Sequence, residues 1–421
     1  MEEIEQIILY RNILKDSVIK KAYKLLKLYE DNNSDSKKID KIYYELYSKL
    51  IQFSETKKLQ GDAWKNYLLS LIAADENIFS LQCEKSVIDK NDTLFNLVKH
   101  DSEILNKLYN INLFNKNSEL NNVISDYSPV ENGNYSSSLE NNLSVLNYIF
   151  NNFTSADNLS VELMNYYSKY GCGILSKYSA FTWNNEIGLN PVNNPDKITF
   201  DDIIGYDDQK KTLMENTEAF VRGKKANNVL LFGDKGTGKS SSVKALLNKY
   251  SKDGLRIVEI TKEQLINFVD IINSVKNRRQ RVIIFIDDLS FEESEIEYKC
   301  MKSIIEGRIE EKPDNVIIYC TTNRRHLVKY NFSDRSNDEV NSSDSMQEKL
   351  SLSDRFGVTI TYSAPTQKEY LKIVEGLAAK NNINIPAEEL RQKAIQWELW
   401  HNGRSGRAAQ QFINNLLGQL E

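Results

Sequence analysis

In the first 170 residues, apolar positions recur every three or four residues, which is the spacing of one face of an α-helix. Similar patterns occur near 39–57, 63–83, 93–113, 139–153 and 159–169, and stretches rich in Asn and Ser separate several of them. The first such pattern comprises Ile4, Ile7, Ile8, Ile13, Leu14, Ile19, Tyr23, Leu26 and Tyr29. This periodicity predicts an all-α N-terminal domain over residues 1–170.

From about residue 196 the pattern changes to short, nearly continuous apolar runs that alternate with helical patterns. The runs are VLLF (229–232), RIVEI (256–260), VIIFID (282–287), VIIYCTT (316–322) and VTITY (358–362). Helices are expected between them, at 240–250, 262–276 and 295–308. Apolar runs of this kind are typical of parallel strands that are covered on both faces of a sheet. The prediction is therefore an α/β core with a parallel five-stranded sheet.

After Pro365 three further helical patterns, at 366–380, 387–401 and 404–418, predict a small C-terminal helical lid. The expected organisation has four parts. These are a helical domain at 1–170, a linker at 171–197, the α/β core at 198–363 and the lid at 364–421.

Composition and charge narrow the class of protein. The chain has 421 residues, of which 40% are hydrophobic and 27% are charged, with a net charge of −5. No apolar stretch approaches the roughly 20 residues that cross a bilayer, and the charged N-terminus does not resemble a signal peptide. A cytoplasmic protein without a membrane partner is expected.

The net negative charge of the chain does not support a broad nucleic-acid-binding surface, although a local basic patch stays an alternative. Four scattered cysteines predict neither disulfides nor a metal site.

The stretch GDKGTGKS at 233–240 matches the pattern GxxxxGK[ST] between a strand run and a helical pattern. Glycines let the backbone wrap an anion, and the helix N-terminus faces the phosphates. Lys239 is expected to reach the β- and γ-phosphates, and the Ser240 hydroxyl is expected to ligate Mg²⁺. Lys235 either adds charge there or faces solvent. The predicted ATP-binding loop residues are Gly233, Asp234, Lys235, Gly236, Thr237, Gly238, Lys239, Ser240 and Ser241.

Two acidic residues, Asp287 and Asp288, end the run VIIFID and follow the sheet edge where ligands bind in α/β proteins. Asp287 suits the Mg²⁺ shell, and Asp288 would orient or deprotonate the attacking water. Many ATPases of this shape have Glu at the second position. A displacement of about 1 Å can lower a rate on the order of 100-fold, so slow turnover is one expectation. Glu292 or Glu293 is an alternative base.

The order of phosphate loop, FIDD, CTTN, LSDRFG and an Arg-bearing helical end resembles AAA+ ATPases. More closely, FDDIIGYDDQK, the loop region, EKLSLSDRFG and GRSGRAAQQFI resemble an uncharacterised bacterial AAA+ family that is known only as a domain of unknown function. FIDD and DRFG are also similar to helicase loaders and replication initiators. The resemblance covers about residues 198–418.

The resemblance implies roles for three further polar residues. Asn323 matches the sensor that holds the attacking water or the γ-phosphate. Arg355 matches an arginine finger that reaches the neighbouring subunit's site, with a local ion pair as the alternative. Arg407 matches the second sensor on the lid, a role that Arg404 could take instead.

The segment DDIIGYDDQ at 201–209 resembles the part of the family that packs over the adenine, with Ile204, Gly205 and Tyr206 nearest the base. An ordinary loop that contributes to the core is the alternative. Arg324 and Arg325 follow the sensor Asn and face either a neighbour's nucleotide, a nucleic acid or solvent.

The resemblance implies an oligomeric, Mg²⁺-dependent ATPase that remodels or loads a partner. ATP would lie between core and lid, and subunits would associate head to tail through Arg355. The helical N-terminal domain would recognise a protein client. Two alternatives stay open: a slow ATP-gated switch or scaffold, and a nucleic-acid-associated protein like the helicase loaders. A metabolite kinase and a protein-unfolding motor are less favoured, the latter because no aromatic–Gly pore loop is visible.

Overall fold

The computed structural model of the chain describes residues 2–30, 36–113, 119–130, 138–291, 296–306, 313–323, 355–401 and 403–419. These residues form two compact units. One contains Met1–Tyr178 together with Asn277–Gln280, and the other contains Ser179–Lys276 together with Arg281–Glu421.

The first unit is helical throughout the part that the structure describes. Short 3₁₀ turns at Glu2–Gln6 and Ile13–Lys15 precede its α-helices. The helices are α1 (Ser17–Glu30), α2 (Ser36–Lys57), α3 (Ala63–Ala74), α4 (Ile78–Lys85), α5 (Thr93–Tyr109), α6 (Glu119–Ser125), α7 (Ser138–Asn151), α8 (Ala156–Tyr170) and α9 (Gly173–Lys177).

Side-chain caps and one buried carboxylate order this helical unit. Asp62 accepts a hydrogen bond from the Lys65 amide and so caps the N-terminus of α3. Asp101, fully buried on α5, accepts hydrogen bonds from the backbone amides of three consecutive residues, Ile8, Leu9 and Tyr10, at 2.7–3.1 Å. These bonds compensate its burial and hold the N-terminal segment in place.

The second unit contains the strands. They are β1 (Ala180–Asn184), β2 (Gly188–Pro191), β3 (Val229–Gly233), β4 (Leu255–Ile260), β5 (Arg281–Ile286), β6 (Val316–Thr322) and β7 (Val358–Tyr362). Its helices are α10 (Asp207–Val221), α11 (Lys239–Tyr250), α12 (Phe268–Val275), α13 (Ile296–Glu306), α14 (Gln367–Lys380), α15 (Ala387–Trp400) and α16 (Gly406–Leu417). Short 3₁₀ turns occur at Phe200–Asp202, Ser251–Asp253 and Glu263–Asn267.

The strands form one sheet in the order β2-β1-β4-β5-β6-β3-β7. All neighbouring pairs are parallel except β1–β2. The α/β class and the five expected strands are confirmed, but a five-stranded sheet was wrong because the described sheet has seven strands. The extra strands lie within 171–197, which was expected to be a linker. They form a hairpin that is only partly buried, so their sequence lacks the continuous apolar run of the central strands.

Packing follows the apolar pattern. Val282–Ile286 of β5 and all of β6 are buried, and β3 contributes three buried residues. The three C-terminal helices have their own hydrophobic cluster, formed by residues such as Tyr370, Val374, Ala394, Phe412 and Ile413. Within the described ranges, no helix combines the length and the apolar character needed to cross a membrane.

Candidate nucleotide-binding site

The phosphate loop connects β3, which ends at Gly233, to α11, which begins at Lys239. Gly233 has φ +139°, and a Cβ atom there would overlap the carbonyl oxygen of Tyr362 in β7. Only glycine therefore permits the loop to leave the sheet so close to the neighbouring strand. The sequence pattern and the backbone geometry agree at this position.

Lys239 is 6% exposed, and its ammonium group lies across the loop. Its Nζ donates to the carbonyl oxygens of Gly233 and Asp234 at 2.9 and 2.7 Å, and to Oδ1 of Asn323 at 3.0 Å. Burial lowers the pKa of Lys239, while neighbouring carboxylates act in the opposite direction. The loop lysine and the expected sensor residue are therefore in direct contact.

The two acidic residues after β5 are held by side chains from α11 and β6. Ser240 Oγ donates to Asp287 Oδ1 at 2.6 Å, and Thr321 Oγ1 donates to the same oxygen. The Asp288 amide donates to Thr321 Oγ1 at 2.9 Å, and Asn323 Nδ2 donates to Asp288 Oδ1 at 2.5 Å. Asp288 has φ +50°, a left-handed conformation that non-glycine residues rarely adopt. Backbone strain of this kind is often found at functional sites.

These oxygen atoms suit a hard divalent cation. The Ser240 hydroxyl and the Asp287 carboxylate are adjacent, and both are ligand types that Mg²⁺ accepts. Among the described residues, no group of three or more His, Cys, Asp or Glu side chains could hold a metal ion. The Ser240 hydroxyl and the Asp287 carboxylate suit an ion that completes its coordination with water and with the oxygen atoms of substrate phosphates, as Mg²⁺ usually does.

The phosphate loop, the ends of β5 and β6, residues near 200 and the lid helices surround a cleft of about 550 Å³. The cleft brings together most of the residues expected from the sequence. The expected residues that line it are Ile204, Tyr206, Lys235, Gly236, Thr237, Gly238, Lys239, Ser240, Ser241, Asp287, Asp288, Asn323 and Arg407.

Four expected site residues, Gly205, Gly233, Asp234 and Arg355, are not among the described residues that line the cleft. The Asp234 carboxylate accepts a hydrogen bond from the Ala364 amide at 2.6 Å, and its own amide donates to the Tyr362 carbonyl at 2.9 Å. Asp234 thus binds the connection between β7 and the lid. Arg355 is exposed. Glu292, Glu293, Arg324 and Arg325 lie outside the described residues.

The lid approaches the loop through the N-terminus of α16. Ser405 caps this helix by accepting from the Ala408 amide, and the Arg407 amide donates to the Gly236 carbonyl at 3.1 Å. Arg404 instead forms an ion pair with Glu398, a residue that is 8% exposed. Of the two candidate lid arginines, the geometry therefore favours Arg407.

Apolar side chains line part of the cleft and form its apolar wall. Tyr206 lines the cleft, but its hydroxyl donates to the Ser363 carbonyl at 2.9 Å and its ring lies 5.1 Å from that of Tyr362. Burial raises the pKa of Tyr206 to about 12. The apolar side chains of the wall are Ile198, Ile203, Ile204, Ile373 and Leu377. A flat, weakly polar group such as a nucleotide base suits these surroundings.

Comparison with known families gives a decisive match. Residues 176–420 match the family described as "Protein of unknown function (DUF815)". The chain belongs to this family. The matched region includes every residue that lines the cleft. The expected membership of an uncharacterised family is confirmed.

Solved structures with a similar fold include the Thermotoga maritima RuvB Holliday junction branch migration motor. That structure has 18% identity and a TM-score of 0.33, with 52% of this chain and 72% of that chain covered. Two variants of the same RuvB have 18% and 19% identity, both with a TM-score of 0.34. They cover 52% and 53% of this chain and 72% of their own chains. Likenesses at this level carry no argument about activity. Among curated protein sequences, none matches the chain.

Sequence reasoning missed several residues that line the cleft in this DUF815 member. Thr321 stands two residues before Asn323, so the two side chains leave the end of β6 on the same side. This spacing of two residues could have predicted that Thr321 lies beside Asn323 in the site. The lid residues carry no comparable signal, since their apolar spacing is equally typical of a helix core. The missed lining residues are Ile198, Thr321, Ile373, Leu377, Gly406 and Gln410.

Proposed function

We propose that this DUF815 protein binds ATP with Mg²⁺ in the cleft and hydrolyses it, as an ATPase of the AAA+ type. The nucleotide would lie between the core at 198–363 and the lid at 364–421. The observation that carries the proposal is the convergence of a phosphate loop, two strand-end carboxylates and a lid arginine on one cleft. No single one of these features would distinguish a nucleotide site from a polar surface groove.

ATP binding would use the amides of the phosphate loop and the N-terminus of α11 for the phosphates. Lys239 would exchange its loop carbonyls and Asn323 for phosphate oxygens, which bind an ammonium group more strongly than neutral acceptors do. Ser240 and Asp287 would hold Mg²⁺ directly or through water, and the ion would neutralise charge on the phosphates.

Hydrolysis would depend on Asp288 as the group that orients the attacking water and accepts its proton. Asn323 donates to this carboxylate and contacts Lys239, so it can position both groups relative to the γ-phosphate. Arg407 would stabilise negative charge from the lid. Arg355, which is exposed, would do so in the site of a neighbouring subunit.

The broader activity that we propose is ATP-dependent remodelling or loading of a partner by a head-to-tail oligomer. The helical region at 1–170 would recognise a protein client. Association with nucleic acid is an alternative that the net charge of −5 does not support. Salt-dependent binding to single- and double-stranded DNA would test that alternative directly.

A slow ATP-gated switch is the second candidate, and one observation favours it. The Asp288 carboxylate is shorter than a glutamate and is already engaged by the Asn323 amide at 2.5 Å. If the Asp288 carboxylate is displaced from the attacking water, hydrolysis is slow. ATP would then stay bound for longer than it does in a fast motor.

The deciding experiment measures steady-state ATP hydrolysis per subunit over a wide range of protein concentration. Variants Asp288→Asn and Arg355→Ala accompany the wild type, and Lys252→Ala serves as a control at an exposed lysine that does not line the cleft. We expect specific activity to rise with concentration, and both site variants to abolish it. ATP binding with equal, negligible turnover in all proteins at all concentrations would instead favour the switch. Absence of ATP binding would overturn the proposal altogether.

A further inference from the structure

A glycine within the first lid helix faces a side chain from residue 204. Gly376 lies on α14 between Ile373 and Leu377, both of which line the cleft. A Cβ atom at Gly376 would lie 2.5 Å from Cδ1 of Ile204 and 3.3 Å from its Cγ1. Carbon atoms in contact are normally separated by about 3.5–4.0 Å. The helix therefore has a notch at Gly376 that accepts the Ile204 side chain.

Glycine is a poor residue for the interior of a helix, since it has the highest backbone entropy to lose. Neighbouring positions of α14 carry ordinary helix formers, among them Leu377, Ala378 and Ala379. Gly376 is therefore explained by the space that it leaves for the Ile204 side chain, because glycine does not favour the helix. Ile204 packs against the hydrophobic cluster of the lid, although it precedes the phosphate loop in the chain.

The segment around Ile204 contacts the lid at a second point and the phosphate loop at a third. Lys380, one turn after Gly376, forms an ion pair with Asp202, another residue that lines the cleft. Ile203 is 7% exposed, and a Cβ atom added to Gly238 would lie 3.6 Å from its Cγ2. Consecutive isoleucines thus contact the phosphate loop and the lid helix, respectively.

We propose that Gly376 is a specificity-determining position of the nucleotide site, because its notch seats Ile204 and so shapes the apolar wall that receives the base. This inference rests on the proposed ATP site. A ligand that offers phosphates alone uses the loop but not this wall.

A methyl group at position 376 must displace either the Ile204 side chain or the helix α14. The first change moves Ile204 within the wall of the cleft, and the second moves Ile373 and Leu377 outward. Both alter contacts to the base, and neither adds an atom to the phosphate loop. The effect is therefore specific to ligands that carry a base.

The test measures dissociation constants of the full chain for ATP and for inorganic tripolyphosphate, both with Mg²⁺, by titration calorimetry. We expect Gly376→Ala to weaken ATP binding about tenfold, the low end of what one misplaced methyl group costs in an apolar pocket. Tripolyphosphate binding should not change. Gly418→Ala is the matched control, because a Cβ atom there would come no nearer than 3.7 Å to its neighbours.

A double variant identifies the contact. Ile204→Val removes Cδ1, the atom that the new methyl group would meet, so Gly376→Ala combined with Ile204→Val should recover most of the lost ATP affinity. If Gly376→Ala does not fold, Ile204→Ala tests the same wall without adding an atom, and it should weaken ATP binding but not tripolyphosphate binding.

Three results would overturn the inference: unchanged ATP affinity in Gly376→Ala, equal losses for ATP and tripolyphosphate, or no recovery in the double variant. If the wild-type protein bound neither ligand, the proposed ATP site itself would fail. That outcome is distinct from the other three, which all require a wild type that binds ATP.

Discussion

Two clusters of charged residues, one in each unit, show what distinguishes a structural network from a ligand site. In the helical unit, Glu84 has a fully buried side chain. It accepts from Arg278 Nε and Nη2 at 3.0 and 3.1 Å, and from the amides of Arg279 and Cys172 at 2.8 Å. In the other unit, Lys239 and its polar neighbours also form hydrogen bonds with one another, but they line an open cleft.

The network around Glu84 is saturated. Arg278 donates its remaining hydrogen bonds to Glu76 Oε1 at 3.0 Å and to the Cys172 carbonyl at 2.7 Å. Burial alone would lower the pKa of Arg278, but the bonds to Glu84 raise it above its usual value. A Cβ atom at Gly173 would overlap the Glu76 side chain, which explains a glycine of the sequence Gly-Cys-Gly at 171–173. Such closed networks serve the fold, because no group is left for a ligand.

Under the proposed function, the network in the cleft consists of pairs that would separate on nucleotide binding. Lys239 with Asn323, and Ser240 with Asp287, are each pairs of groups that can exchange their partner for a phosphate or a metal ion. Hydrogen bonds of similar length therefore stabilise the fold in the helical unit, whereas those in the cleft would be exchanged for contacts with a ligand. Access to the cleft, and not the number of hydrogen bonds, marks the functional cluster.

The largest expected effect comes from opening the closed network. Glu84→Ala leaves the Arg278 guanidinium buried without its main partner, and such changes lower the free energy of unfolding by about 3–5 kcal/mol. Glu76→Ala is the control, because Glu76 is 44% exposed and an exposed pair contributes about 1 kcal/mol or less. Chemical denaturation followed by circular dichroism measures both. Equal effects of the two variants would contradict the distinction.

A half-buried cation in the helical unit, Lys177, should respond in the opposite sense. Burial, with repulsion from Lys57, lowers the pKa of Lys177 from 10.5 to about 8. Below pH 8 the folded state carries the full cost of the buried charge. Between pH 8 and 10.5 the unfolded state holds more protons, so stability rises with pH. Lys177→Met removes this cost. We expect the variant to be more stable at pH 7 by up to about 3 kcal/mol, with the difference shrinking as the pH approaches 10.

The measurement for Lys177 is the unfolding free energy of wild type and variant at a series of pH values, because their difference cancels the titration of other groups. A difference that is constant with pH, or that grows as pH rises, would show that burial does not control this lysine.

Opening the cleft network should impair binding and not folding. Lys239→Ala removes charged hydrogen bonds to the phosphates, and we expect ATP affinity to fall about 100-fold. Thermal stability should change less than in Glu84→Ala, because the partners that remain are neutral acceptors and no buried charge loses its partner. Calorimetric titration with ATP, with Lys252→Ala as the control outside the cleft, checks this. A large loss of stability with unchanged ATP affinity would place Lys239 in the same class as Arg278.

The smallest effect is expected at Thr321, which contacts the carboxylate of Asp287 and the backbone amide of Asp288. Thr321→Val keeps the shape of the side chain but removes the hydroxyl that binds Asp287 and the Asp288 amide. We expect ATP hydrolysis to slow about tenfold, the effect of one lost hydrogen bond, with ATP affinity nearly unchanged. Thr359→Val, at an exposed position of β7, is the control. Unchanged hydrolysis in Thr321→Val would remove its positioning role.

Prediction from sequence succeeded where a local pattern carries the information. Residue types at fixed spacing predicted the phosphate loop, the five strands β3 to β7 and the three lid helices. It failed for the β1–β2 hairpin, because AFTWN and GLNP have neither a continuous apolar run nor a tight turn pair such as Asn-Gly. The sequence left Arg404 and Arg407 as alternatives for the lid sensor. The ion pair of Arg404 with Glu398, which no local pattern indicates, distinguishes the two.

The sequence by itself determined that a glycine-rich loop follows a buried strand, that two carboxylates end another strand, and that helices precede and follow this α/β region. Backbone geometry imposes these patterns on short segments, so they can be read without the fold. Only the tertiary structure decided that Ile204 meets Gly376 and that Glu84 meets Arg278. The members of each pair are more than 170 residues apart, and their contact depends on how whole helices and strands pack, which no local spacing records.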